Sequence, residues 1–170
     1  MLWIIEKYLK YLVLFALLWG FLFVYANFGC VRIQGKQMEP LLHEPDNVIV
    51  HLREREFSSH DPQIRQDVDG GRVIVAYQYQ IPGSPETQHV GRVVGLPGDR
   101  IRLERGQLFR NGTSVGELYL GDKPSDGESA DEITIPRDHV YLLIDNRKMR
   151  PDSRTLGPIP QDSITGRIHR

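Results

Sequence analysis

Residues 89–104 read HVGRVVGLPGDRIRLE. The first half is a strand-length apolar run, with Val90, Val93, Val94 and Leu96, and is too short for an ordinary helix. Pro97-Gly98-Asp99 then supplies turn chemistry, and Arg100 to Glu104 alternates polar and apolar residues. The stretch therefore reads strand, turn, strand. The same pattern extends both ways: VRIQ from 31, NVIVHL from 47, RVIVAYQY from 72 and HVYLLI from 139 are all strand length. Asp69-Gly70-Gly71 and Pro82-Gly83-Ser84-Pro85 punctuate them as turns. Asn111-Gly112, between QLFR and TSVGELYL, is a two-residue hairpin signal, because both central residues of such a turn need positive φ. Arg53 to Asp69 and Gly121 to Asp131 read as surface loops. The expected fold class is all-β.

One segment departs from this pattern. Tyr11 to Gly29, YLVLFALLWGFLFVYANFG, carries no formal charge over nineteen residues, long enough to cross a hydrocarbon core as a helix. A helix apolar on every face needs either lipid or a large protein around it, and the remaining chain is charged and turn-rich. No small-x-small cleavage signature follows, so the segment is expected to stay attached. Lys7 and Lys10 precede it and favour a cytoplasmic N-terminus, although Arg32 and Lys36 reduce the contrast. The expected organisation is a cytoplasmic tail over 1–10, a single transmembrane anchor over 11–29, and an extracytoplasmic β domain over 30–170 at the cell membrane.

Composition narrows the function. At 170 residues the chain holds one domain plus an accessory element. Its 21 basic and 22 acidic residues leave a net charge of −1, which provides no field for nucleic acid. Cys30 stands alone, excluding an intrachain disulfide and a multi-cysteine metal centre. The six histidines show neither HExxH nor a pair at helical ligand spacing, so no metal and no cofactor are expected.

Three ordered segments carry a resemblance. The first is Gly35-Lys36-Gln37-Met38-Glu39-Pro40-Leu41 followed by Asp46-Asn47-Val48-Ile49-Val50. The second is Gly91 to Ile101, GRVVGLPGDRI. The third is Asp145-Asn146-Arg147 with Asp152-Ser153-Arg154 and Gly157. Together they resemble the signature boxes of type I signal peptidase, a membrane-bound serine protease with a Ser-Lys dyad, and the similarity spans nearly the whole chain. The resemblance implies an N-terminal anchor and antiparallel sheets coiled into a partly closed barrel.

It also exposes what is missing. The family's nucleophilic serine falls at Gln37, and a carboxamide is a poor nucleophile. The family's general base, a buried lysine, falls at Gly91; the neighbouring Arg92 cannot replace it, because guanidinium stays protonated. The hydroxyl residue that orients the lysine falls at Arg150. Gly95, Pro97, Gly98, Asp99, Asp145, Arg147, Asp152 and Arg154 all match. Chemistry is lost while scaffold is kept, the pattern of a pseudoenzyme. Ser58-Ser59-His60-Asp61 does not repair it, since adjacent side chains seldom converge on one reacting atom. Lys36 and Lys148 have no serine at position 37 to activate.

By resemblance, Met38, Pro40, Gln88, His89 and Val90 line a substrate groove that accepts an extended strand, and Arg92 with Asp145 forms a structural ion pair. The expected partners are the lipid bilayer and an extended segment of exported or pilus proteins, with an authentic signal peptidase as a further candidate. The leading expectation is a non-catalytic assembly factor. The alternatives are an active leader peptidase with an atypical nucleophile and a regulator of such an enzyme.

Overall fold

A computed structural model describes residues 2–33, 35–79, 87–121 and 127–169. The expected turn from Pro82 to Pro85, and residues 122–126 of the loop expected from Gly121, lie outside the described residues. Helix α1 spans Leu2–Asn27. Its 20-residue stretch Tyr8–Asn27 is long and apolar enough to cross a membrane, and none of it is buried against the rest of the chain. The helix stops at Asn27, whose side chain donates back to the Phe23 carbonyl at 2.6 Å. Strand β1 (Phe28–Arg32) follows without a linker, beginning before the strand expected from Val31. It pairs antiparallel with β2 (Asn47–His51), from Phe28 opposite His51 to Arg32 opposite Asn47. The apolar helix thus runs directly into the sheet.

The remaining strands are β3 (Ile74–Tyr79), β4 (Thr87–Gly95), β5 (Arg100–Glu104), β6 (Gln107–Arg110), β7 (Thr113–Ser114), β8 (Ala130–Thr134), β9 (His139–Leu143), β10 (Ile159–Pro160) and β11 (Ile164–Ile168). A seven-stranded sheet has the order β1-β2-β11-β3-β4-β9-β10, and a four-stranded sheet the order β7-β6-β5-β8. All described pairings are antiparallel. The Asn111-Gly112 turn has φ of 54° and 81° at its two residues, as a type I′ hairpin requires.

The period-2 pattern of β3 explains the core. Val73, Val75 and Tyr77 face one cluster with Val93, Leu96 and Leu142, whereas Ile74 and Ala76 face a second with Met38, Val50, Val90 and Ile144. Both faces are buried, so the strand reads as a continuous apolar run. Ile101, Leu103 and Leu108 of the small sheet pack with Val94, Tyr141 and Leu143, joining the two sheets. At the β4–β5 connection the Asp99 amide donates to the Leu96 carbonyl at 3.0 Å, and Gly98 takes φ 84°. This is the Pro-Gly arrangement of a type II turn. The Asp99 carboxylate accepts from Leu96 N at 2.9 Å, Arg65 at 2.7 Å and Asn111 at 2.9 Å.

Part of the loop expected from Arg53 to Asp69 is helix α2 (Pro62–Asp69). Its signals are in the sequence. Asp61 caps the Gln63 and Ile64 amides, Pro62 sits in the first turn, and Ile64 and Val68 stand one turn apart on the core-facing side. Strand β11, also unread, lies between β2 and β3. Its Gly166 presses on the β2 backbone: a Cβ there would collide with the His51 carbonyl and come within 2.7 Å of Val50 Cγ1.

Candidate functional site

Strand β4 sets the geometry. The Val93 amide donates to the Val73 carbonyl at 2.9 Å, and alternation along an antiparallel ladder turns Thr87, His89 and Gly91 toward β3 in the same way. Gln88, Val90 and Arg92 therefore direct their backbone groups to the other side. There β9 pairs with β4 only from Arg92 to Gly95. Among the described residues, no strand covers that edge from Thr87 to Gly91.

The turn from Gln37 to Pro40 is tied to the third segment. Asn146 N donates to the Gln37 carbonyl at 2.8 Å, and its side-chain amide donates to the Lys36 carbonyl at 3.0 Å. Met38 is fully buried in the cluster that contains Val90 and Ile144. Of the expected groove residues, Pro40 and Gln88 are exposed, His89 is half-buried, and Met38 and Val90 form wall rather than open surface. His89 Nε2 lies 2.7 Å from Thr87 Oγ1, and burial holds its imidazole below the usual histidine range.

Gly91 is covered. Tyr77 lies diagonally across β3 and β4, and a Cβ on Gly91 would sit 3.4 Å from Tyr77 Cε1 and 3.4 Å from Leu142 Cβ. A methyl group fits there at ordinary van der Waals contact. The Tyr77 hydroxyl is buried without a hydrogen-bond partner among the described residues. Burial first, and then the Asp152 charge, push its pKa above the ordinary phenol value.

Arg150 turns toward Glu128, with which it forms an ion pair, and donates to the carbonyls of Arg147 at 2.9 Å and Met149 at 2.7 Å. Asp152 pairs with Arg154, Nη2 to Oδ2 at 2.6 Å. Lys36 and Lys148 are exposed. Ser153 Oγ accepts from the Leu142 amide at 2.9 Å. Asp61 is occupied in capping α2, and Ser58 Oγ accepts from His60 N at 3.2 Å. That segment is a helix-entry turn.

Arg92 and Asp145 are brought together in the interior, Nε to Oδ1 at 2.8 Å and Nη2 to Oδ2 at 2.5 Å. Arg92 also donates to the Gly71 carbonyl and lies over the Tyr119 ring, 4.1 Å from its centroid. Tyr119 donates to Glu117 at 2.6 Å, and Glu117 pairs with Arg147. Burial, seconded by Glu117, raises the Tyr119 pKa. This network fixes the second and third segments to one another.

Sequence reasoning missed Tyr77 and Glu128, whose contacts with positions 91 and 150 arise from folding rather than from spacing. It also missed a cluster of His51, Glu54 and His169, whose ligand atoms all lie within 4.8 Å of one another. His51 closes β2 and His169 follows β11, far apart in the chain, so no local motif announces them.

The sequence profile described as "Signal peptidase, peptidase S26" matches residues 5–170. The chain is 30% identical over 144 residues to Signal peptidase I of Bacillus amyloliquefaciens, covering 79% of this chain and 70% of that protein. It is 29% identical over 163 residues to Signal peptidase I P of Bacillus subtilis subsp. natto, covering 91% and 82% respectively. A crystal structure of a signal peptidase I from Enterococcus faecalis V583 is similar with a TM-score of 0.45 at 28% identity, covering 56% of this chain and 92% of that one.

Proposed function

The chain belongs to the signal peptidase family, peptidase S26, and from that premise we propose that it binds the extended segments that its relatives cleave and leaves them intact. The observation that supports this reading is the β4 edge from Thr87 to Gly91, which no described strand covers; by resemblance, the family's nucleophile and base fall beside it at Gln37 and Gly91. An incoming peptide adds as a strand along Gln88 and Val90, whose outward N–H and C=O groups offer main-chain hydrogen bonds. Pro40 and His89 border it, over a wall of Met38 and Val90. No alkoxide forms at Gln37, and nothing at position 91 takes a proton, so the bound carbonyl is not attacked.

In this reading α1 crosses the membrane with its N-terminus in the cytoplasm and presents the β domain outside. The partners are extended segments of exported proteins, pilus subunits among them, held near the membrane during assembly. The direct test is fluorescence anisotropy of a labelled leader segment with the purified full chain in detergent. Saturable binding is expected, and Gln88→Pro, which removes an outward N–H at an edge position where proline is tolerated, weakens it at least tenfold with the fold unchanged. Absence of binding, or equal binding by the variant, contradicts the reading.

A further inference from the structure

His51, Glu54 and His169 meet at the end of the sheet beside the anchor, and we propose that they form a binding site for a borderline divalent transition-metal cation such as Zn2+. This site is separate from the β4 edge and does not depend on the function assigned to that edge. His51 closes β2, Glu54 lies in the turn that follows, where its amide donates to the His51 carbonyl at 3.3 Å, and His169 comes just after β11. The β2–β11 register sets Arg167 opposite His51 and so carries residue 169 into reach.

The distances suit a metal. Glu54 Oε2 lies 2.9 Å from His169 Nε2, and Glu54 Oε1 lies 3.5 Å from His51 Nδ1. A tetrahedral zinc with bonds of about 2.0–2.1 Å separates its ligand atoms by roughly 3.3 Å, and the two contacts, made by different oxygens of the one carboxylate, lie on either side of that value within a cluster whose ligand atoms are all within 4.8 Å. The imidazole rings lie 4.4 Å apart, centroid to centroid, and the Phe28 ring packs edge-on against His51 at 4.6 Å, limiting its rotation. Two imidazoles and one carboxylate suit Zn2+, Cu2+ or Ni2+ rather than Mg2+ or Ca2+, which favour all-oxygen sites. Three protein ligands leave a fourth position for water. Arg167 Nη1 lies 3.7 Å from Glu54, but its Nη2 is held by Asp67 at 2.9 Å. Because Phe28 pairs with His51, a bound ion fastens β2 to β11 at the point where the anchor enters the sheet.

The test is isothermal titration of the full chain, purified in detergent with any affinity tag removed and stripped by a chelator. One Zn2+ per chain is expected, with micromolar or tighter affinity, no Mg2+ binding, and a rise in melting temperature on Zn2+ addition. His169→Asn and Glu54→Gln, both at solvent-accessible positions, are each expected to weaken Zn2+ binding at least tenfold and abolish the thermal shift, with unchanged circular dichroism. His60→Asn and His139→Asn leave binding as it was. Failure to bind Zn2+, undiminished binding by the Glu54 and His169 variants, or loss in the His60 or His139 controls overturns the site.

Discussion

Arg92 carries its charge into the interior, where Asp145, the Gly71 carbonyl and the Tyr119 ring compensate it. Removing Asp145 leaves a buried cation unpaired, a loss of about 3–5 kcal/mol. Asp145→Ala is therefore expected to lower the melting temperature by on the order of 10 °C, and an unchanged melt contradicts the structural role. Asp99 gives a pH dependence. Burial favours its neutral form, but hydrogen bonds from Arg65, the Leu96 amide and Asn111 outweigh this and hold the carboxyl below its ordinary value of 3.8. A depressed folded pKa contributes stability that is complete above the ordinary carboxylate value and is lost as pH falls through the folded one. Between about pH 5 and pH 2 the melting temperature of the parent should fall more steeply than that of Asp99→Asn; parallel slopes count against this assignment. The identities at 37, 91 and 150 were legible in the sequence. Tyr77 over Gly91 was not, because a diagonal contact requires the β3–β4 register, which the chain reveals only when folded.

Strands flanked by strong turns, such as those joined by Pro97-Gly98 and Asn111-Gly112, were readable because the turn residues and the period-2 pattern agree. The element α2 is faint in the sequence although its Asp-Pro start is a helix signal, since its short apolar stripe of Ile64 and Val68 sits amid charged residues. β11 hides differently. Gly166 interrupts the apolar run, and the reason is a backbone approach to β2 that no local pattern encodes. Two glycines should therefore behave oppositely. Gly91→Ala meets only ordinary contacts at 3.4 Å and is expected to change stability by less than about 0.5 kcal/mol. Gly166→Ala drives a methyl into the His51 carbonyl and should cost roughly 1–3 kcal/mol. Thermal melts of the two variants decide the matter, and similar behaviour would contradict the packing described.

At the scale of the whole molecule, an apolar helix long enough to span a bilayer passes directly into the edge strand of a sheet, and among the described residues no strand covers one edge of β4 from Thr87 to Gly91, where Val90 packs with Met38. Hydropathy and strand periodicity made the helix and the β class legible. Periodicity alone does not mark the open edge, which depends on where β9 stops pairing; the family resemblance is what points to residues 88–90. The central claim is that this edge retains peptides without cutting them. It is tested most directly by incubating the purified full chain, in detergent, with a leader-peptide substrate and following the peptide by mass spectrometry. The expected result is an intact peptide that co-elutes with the chain. Cleavage at a single bond, abolished by Gln37→Ala or Lys36→Ala, would contradict it.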